Sequence, residues 1–516
     1  MSKGVIAAGS HAATSAGAEI LAAGGNAVDA AVAACFAVGA GEPTLTSLAG
    51  GGAMLHRDGA SGEVTICDFF ANAPGLGLAP ATSRAYESVH IDFGPTTQRF
   101  HVGAAAAAMP GTIPGLCLAA EKWGRLPLED LVAPACRMLH DGTKLEPMGA
   151  WVTALLEPIV KLHAVDDHSP FVVDGRLIEA GERFAAPQLA ATLEALVARG
   201  WRDYLDKVLH PLLVAQCGPA MGGSVTDEDV ASYQVQFRRP LEMDFEGCRV
   251  FTNPQPAAGG VMIGSILDLL GQRPSRSAAP GSLERIRSLA VAMKVADEAR
   301  AVGASVLADP ASWRQRFRAA HAAPLAAGGA ASGPGSTTHV SVLDAAGNCA
   351  AVTFTYGEGN GQVLGDTGIL MNNLMGEEDL FPDGLGIWPA GKRLATMMAP
   401  TLVATPTGDL IVIGGGGSNR IRSALAQVLL HLVDDGMSLG DAVAAERVHF
   451  EAGVLNVERV GALAAIDCRQ LQPAQLVEFD APNMFFGGVN VVRRDSAGVL
   501  TGAGDPRRGG CHIVVD

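Results

Sequence analysis

The chain has 516 residues, with 37 Lys+Arg against 53 Asp+Glu and a formal net charge of −16. Hydrophobic residues make up 48% and charged residues 17%, a balance that excludes a disordered chain. The acidic balance, with no basic run, excludes an electrostatic footprint for nucleic acid.

At roughly 100–200 residues per domain, the length suits about three domains or one large composite fold. The cysteines are odd in number and scattered, with no C-x-x-C pair. Neither a disulfide framework nor a Cys-based zinc or redox site is expected. The longest apolar stretch, Ala30 to Gly41, is too short to span a bilayer. One early lysine and no leucine-rich segment argue against a secretory signal, so a cytoplasmic protein in a reducing compartment is expected.

In chain order, the first forty residues read as two short helices. Thr14 or Ser15 caps the first and Gly24-Gly25 ends it. Asn26 caps the second, with Asp29 three residues on as in a capping box, and Ala30 to Ala40 is apolar all round, as in a buried helix. Gly50-Gly51-Gly52 then leads into a hairpin, Ala53–Arg57 and Glu63–Phe70, around Asp58-Gly59-Ala60-Ser61-Gly62. Residues 116–220 look helical, and 222–233 carry the polar cap residues of a connecting segment.

The sharpest change of composition is Ala322 to Gly335, uncharged and made of Ala, Gly, Ser and Pro apart from Leu325, which reads as a flexible linker. A hairpin follows. Ser336 to Asp344 is one strand, Ala345-Ala346-Gly347 a three-residue loop with Gly at the left-handed position, and Asn348 to Tyr356 the return strand. A type I turn with a G1 bulge puts residue 344 opposite 348 and therefore Thr337 opposite Thr355. Further on, Leu410–Ile413 is a buried strand that runs into Gly414-Gly415-Gly416-Gly417-Ser418-Asn419-Arg420 and an amphipathic helix through Leu432. That strand–loop–helix order suits an anion site built from backbone N–H groups. It matches neither the P-loop nor the G-x-G-x-x-G pattern, which leaves a purely structural turn or an oxyanion hole beside a phosphate cradle. No internal repeat is evident.

Thr337 is the nucleophile candidate. A threonine hydroxyl needs a base beside it, and an N-terminal threonine supplies its own α-amine, with a pKa near 8. Thr337 is internal, so this chemistry requires cleavage after Ser336, where the linker ends. By residue type alone it reads as an ordinary strand threonine.

Ordered motifs change that reading. Gly24-Gly25-Asn26-Ala27-Val28-Asp29-Ala30-Ala31, Glu42-Pro43, Gly50-Gly51-Gly52, Pro110-Gly111-Thr112 with Gly115, and Ala258-Gly259-Gly260 come first. The most specific is Thr337-Thr338-His339-x-Ser341-Val342-x-Asp344-x-x-Gly347-Asn348. Then follow Gly368-Ile369-Leu370-x-Asn372-Asn373, Lys392-Arg393, Pro400-Thr401, Arg447-x-His449 and Asp505-Pro506-Arg507. Together they resemble the γ-glutamyltranspeptidase family of N-terminal nucleophile hydrolases over most of the chain, weakly over about 140–250.

The resemblance implies an α+β fold, the four-layer αββα sandwich. It implies a proenzyme cut between Ser336 and Thr337 into a large piece, 1–336, and a small piece, 337–516. These form one composite globular domain, a heterodimer with pairing to a heterotetramer as a further expectation. Thr337 takes the role of processing residue and nucleophile, Thr355 that of the supporting hydroxyl, and Gly417 and Ser418 those of the oxyanion-hole amides. His339, Arg393, Arg447 and Asp505 are expected to be polar anchors. Substrates are small amides, with water or an amine as acceptor, and neither a metal nor an organic cofactor is needed.

The substrate pocket departs from the family pattern. Phe70 stands where the family's carboxylate-clamping Arg stands. Ala395-Thr396-Met397-Met398 replaces the serine-rich run, Gly357 an Asn, and Leu374 a Gln or Glu. An acid remains near the amine position as Glu377 or Glu378, and Arg99, Lys392 or Arg393 are the basic residues that could replace the clamp. The expected protein is therefore an acyl-transfer enzyme with altered acyl specificity, akin to the family's oxamate amidohydrolases or cephalosporin acylases. A true γ-glutamyl hydrolase or transferase, and an unprocessed ligand-binding homologue, are the rival readings.

Overall fold

A computed structural model describes residues 2–79, 86–92, 97–163, 169–325, 336–381, 384–385 and 388–516. The linker expected over 322–335 lies outside the described residues from 326 onward. Two antiparallel sheets stack face to face. The first has seven strands in the order Gln236–Arg238, Val64–Asp68, Gly51–Arg57, Cys349–Thr355, Thr338–Asp344, Gly4–Ala8, Cys511–Val515. The second has six, in the order Leu241–Phe245, Cys248–Thr252, Thr401–Ala404, Leu410–Gly416, Gly488–Arg494, Leu500–Ala503.

The layers follow from which faces are apolar. Val5, Ala7, Leu55, Leu343, Ala351, Leu402, Val412 and Val492 form a core between the sheets. Helices His11–Ala22, Ala27–Gly41 and Leu128–Asp141 contribute to a core on the outer side of the first sheet. Helices Ala258–Leu270, Leu283–Ala301 and Arg420–Val433 contribute to one on the outer side of the second. This is the expected four-layer αββα sandwich. Among the described residues no helix is long and apolar enough to cross a membrane.

Strands from before and after residue 336 alternate in the first sheet. The hairpin Thr338–Thr355 is hydrogen-bonded on one side to Gly51–Arg57 and on the other to Gly4–Ala8. Its register pairs Thr338 with Phe354 and Leu343 with Cys349, the pairing that the turn chemistry dictates. Gly347 sits at φ +83 and donates its N–H to the Asp344 carbonyl at 3.0 Å.

Three local expectations change. Residues 4–8 form a strand, a five-residue apolar run whose pattern is too short to show a period. The first helix is capped by Ser10 rather than Thr14 or Ser15. The Ser10 hydroxyl accepts from Ala13 N at 3.4 Å, and the Thr14 hydroxyl turns back to the Ser10 carbonyl at 2.6 Å. The strand from Leu410 continues through Gly416, because Gly414, Gly415 and Gly416 pair with Asn490, Val489 and Gly488. Only residues 417–419 remain as the turn. The Asn26–Asp29 capping box and the buried second helix are as expected.

Two of those glycines, Gly414 and Gly416, let the sheets touch at the hairpin. A Cβ on Gly414 would run into the His339 ring, and one on Gly416 into the Thr337 carbonyl. The His339 ring is pinned by Thr353 Oγ1 at 2.7 Å and Ser341 Oγ at 2.8 Å, so it cannot swing aside. Gly414→Ala should therefore destabilise the protein by about 1–3 kcal/mol, the usual range for overpacking. Chemical denaturation checks this, and unchanged stability would mean that the sheets have slack there.

Candidate active site

Thr337 is 5% exposed and stands at the head of its strand. Continuing the hairpin register by one residue sets it opposite Thr355. Both hydroxyls reach one atom. Thr337 Oγ1 donates to the Ser336 carbonyl at 2.7 Å, and Thr355 Oγ1 donates to the same oxygen. Thr355 Oγ1 in turn accepts from Gly357 N at 3.1 Å, which orients it. The Ser336 N–H is held by Glu358 Oε1 at 3.1 Å. The peptide before Thr337 is thus gripped on its oxygen and on its preceding nitrogen.

The turn 417–419 closes the site from the second sheet. Gly417 has φ +130 and packs on Gly487, where a Cβ would meet the Gly487 Cα. Ser418 has φ +48, the left-handed region that favours glycine. Ser418 and Asn419 line the pocket that contains Thr337.

That pocket gathers Phe70, Arg300, Ser336, Thr337, Thr355, Leu374, Glu377, Leu380, Ala395, Thr396, Met397 and Met398 around a free volume of about 30 Å³. Four of the substrate-binding candidates, Phe70, Glu377, Ala395 and Thr396, are therefore brought together beside the two threonines. Arg99 and Glu378 are not. They pair with each other at 2.7 Å, half exposed, with His101 at 3.2 Å from the same carboxylate. That pairing, Arg99 first, lowers the Glu378 carboxyl pKa.

Neither Lys392 nor Arg393 supplies a pocket cation. Lys392 is exposed. Arg393 is buried and donates to the carbonyls of Phe70 and Gln234, the latter at 2.7 Å, and faces Asp68 at 3.4 Å. It anchors the chain that presents Phe70. Phe70 itself packs with Leu374, Leu394, Met375 and Met398, so the expected clamp position is an apolar wall. Gly357, at φ +70, is required because a Cβ there would strike Asn373 Oδ1 and Glu377 Oε1.

A buried polar frame holds the site. Burial pushes His339 down to about 3, so the ring stays neutral while it bridges two hydroxyls. Arg447 and Asp505 pair at 2.5 Å, and Asp505 also accepts from Val489 N at 2.9 Å, which fixes the strand beside the glycines. Arg508 donates to the Thr337 carbonyl at 3.4 Å, and burial, foremost, pulls its pKa down to about 10. Glu42 accepts from the Thr338 hydroxyl at 2.7 Å. Burial pushes its carboxyl up to about 7 against the opposing pull of the Thr338 and Ser10 hydroxyls.

Glu358 and Arg300 carry no motif in the sequence. The only hint of Glu358 is a lone acid between glycines three residues after Thr355. Arg300 sits near the end of a helix with nothing around it to single it out.

Comparison with known proteins places this geometry in context. The model of the family described as gamma-glutamyltranspeptidase matches residues 13–515. The acylase ACY 1 proenzyme of Pseudomonas sp. (strain SE83) is 31% identical, over 100% of this chain and 94% of its own. The glutathione hydrolase proenzyme of Escherichia coli (strain K12) is 28% identical, over 98% of this chain and 90% of its own. Among solved structures, the cephalosporin acylase from Bacillus halodurans superimposes with a TM-score of 0.82 at 23% identity. That match covers 99% of this chain and 96% of the other, a likeness of fold.

Glu42 gives a pH test. Its carboxyl titrates near 4.5 when unfolded and near 7 when folded. Above 4.5 the unfolded chain loses the proton first, so Glu42 makes stability fall as pH rises, levelling off above about 7. Relative to Glu42→Gln, wild-type unfolding free energy should drop by up to about 3 kcal/mol across that window. Denaturant titrations at pH 4.5 and 7.5 measure it. A pH-independent difference would show that Glu42 ionises freely.

Proposed function

The chain belongs to the γ-glutamyltranspeptidase family of amidohydrolases and acyltransferases, and on that premise we propose that it cleaves itself before Thr337 and then works as an N-terminal threonine enzyme. The observation that carries the proposal is the convergence of the Thr337 and Thr355 hydroxyls on the Ser336 carbonyl.

Thr337 Oγ1 attacks the Ser336 carbonyl carbon, which Thr355 polarises by its hydrogen bond. The C–N bond breaks as an ester forms, and the nitrogen takes the proton. That step frees the Thr337 α-amine; water then hydrolyses the ester, which releases the Thr337 hydroxyl and the Ser336 carboxylate and leaves 1–336 and 337–516 joined through alternating strands of the first sheet. The amine then serves as base for its own hydroxyl. Attack on a substrate amide places negative charge on its oxygen beside the turn, where the N–H groups of Gly417 and Ser418 are the assigned donors. The leaving amine departs with a proton, and water or a second amine resolves the acyl-Thr337 ester. Nine unpaired cysteines suit a reducing compartment.

The acyl group we propose is not γ-glutamyl. A γ-glutamyl α-carboxylate at the place of the family's clamp would lie against the apolar Phe70 and Leu374, an unfavourable setting for a charge. Small, uncharged acyl groups fit that wall.

Processing is tested by N-terminal sequencing of the small fragment, which should begin Thr337-Thr338-His339. Thr337→Ala should give one full-length band on a denaturing gel. A fragment starting elsewhere, or an uncleaved wild type, would remove the nucleophile assignment.

For specificity, wild-type kcat/KM on glutathione should lie well below about 10⁴ M⁻¹s⁻¹, the lower end of the usual enzyme range. Phe70→Arg should raise it. Efficient glutathione hydrolysis by the wild type would return the protein to γ-glutamyl chemistry.

A further inference from the structure

Before cleavage the Thr337 nitrogen is part of an amide and cannot serve as a base. The first acyl shift then depends on how the Ser336–Thr337 peptide is held against Thr337 Oγ1. A misplacement of 1 Å can change such a rate by about a hundredfold.

The peptide is held at three points. Its carbonyl oxygen accepts from the Thr337 and Thr355 hydroxyls. On the far side, the Thr337 carbonyl accepts from Arg508 Nη1 at 3.4 Å and lies where a Cβ on Gly416 would stand. The third point is the Ser336 N–H, which donates to Glu358 Oε1 at 3.1 Å. The two hydroxyls sit on side chains that rotate and can follow the oxygen if the peptide swings. The bond to Glu358 is made by the backbone of the residue whose carbonyl carbon is attacked, so it fixes that residue directly.

Glu358 is itself fixed. It is 3% exposed, and its own N–H donates to Asn373 Oδ1 at 3.0 Å. Asn373 Nδ2 donates in turn to the His101 carbonyl at 3.2 Å. Between Thr355 and Glu358, Gly357 turns the chain at φ +70. One short segment therefore reaches the peptide twice, with a hydroxyl on its oxygen and a carboxylate on the nitrogen before it.

We propose that Glu358 is a positioning residue for self-cleavage: by accepting the Ser336 N–H it orients the peptide before Thr337 for attack by Oγ1. The inference rests on cleavage before Thr337. In that step the Oγ1–C bond forms, the C–N bond breaks and the hydroxyl proton ends on the Thr337 nitrogen. Glu358 exchanges no proton; its part is that of an acceptor. The bond joins residue 358 of the future small piece to residue 336 of the large one, so it serves the precursor.

The test uses the full chain made by cell-free translation, with the rate of cleavage read on denaturing gels. Glu358→Leu removes the acceptor and should slow cleavage by about ten- to a hundredfold, the range for a lost charge-assisted hydrogen bond. Glu358→Gln keeps an acceptor oxygen and should stay within about fivefold of wild type. Lactate incorporated at position 336 deletes the N–H alone, and should cleave about ten- to a hundredfold more slowly than Ser336→Ala. That arm leaves Glu358 in place and decides the matter if Glu358→Leu does not fold. Hydroxylamine, which cleaves esters, should not restore Glu358→Leu, because the slowed step precedes the ester. Folded Glu358→Leu that cleaves as fast as wild type overturns the proposal, as does the lactate chain matching Ser336→Ala. Glu358→Gln as slow as Glu358→Leu overturns it too, since charge or proton transfer would then be the role. Restoration by hydroxylamine would move the role to ester hydrolysis and overturn it. An uncleaved wild type would remove the cleavage reading itself, an outcome distinct from all of these.

Discussion

The site depends on how closely two sheets approach each other at one corner. Gly414 and Gly416 lie against His339 and Thr337 with no space for a methyl group, so the turn that follows Gly416 is carried to Thr337. Larger residues there would lift the second sheet off the first and withdraw the turn from Thr337. Cores pack too densely to absorb such a change. Gly50 meets the same constraint from the side, since a Cβ there would strike the Thr355 carbonyl. Glycines from both halves of the chain thus hold the two threonines in place.

Around that corner the protein buries charge that it then has to satisfy. Arg447 with Asp505, Arg507 with Glu458, and Arg508 on the Thr337 carbonyl are all buried. An unpaired charge in such surroundings would be severely destabilising, whereas a paired and hydrogen-bonded one fixes geometry. His339 follows the same logic in neutral form. Its low pKa makes it a bridge between Thr353 and Ser341, not a base. This leaves the base function to the amine that cleavage would create.

The departures around the pocket are mutually consistent. Phe70 packs on Leu374, and Arg393 holds the backbone that presents Phe70. Gly357 vacates space that Asn373 and Glu377 fill. The apolar wall is thus built from mutually supporting residues, and among the described residues the cation lining the pocket, Arg300, comes from a helix of the opposite outer layer.

What the sequence determined by itself was what a few adjacent residues encode. Ala345-Ala346-Gly347 set the hairpin register and so placed Thr337 opposite Thr355. Asn26 and Asp29 set a helix start, and the ordered motifs pointed to the family and its sandwich. The register and the helix start rest on turn and cap geometry, whose physics is local, whereas the family and its sandwich rest on the resemblance of the motifs. The tertiary structure decided the rest. It drew Arg99 and Glu378 into a surface pair, turned Gly4–Ala8 into an interior strand, extended the glycine strand to Gly416, and brought Glu358 to Ser336 and Arg300 to the pocket. Each of these depends on groups from distant segments meeting in space. No local pattern records such a meeting, because it is the stacking of four layers that chooses which side chains share a cavity.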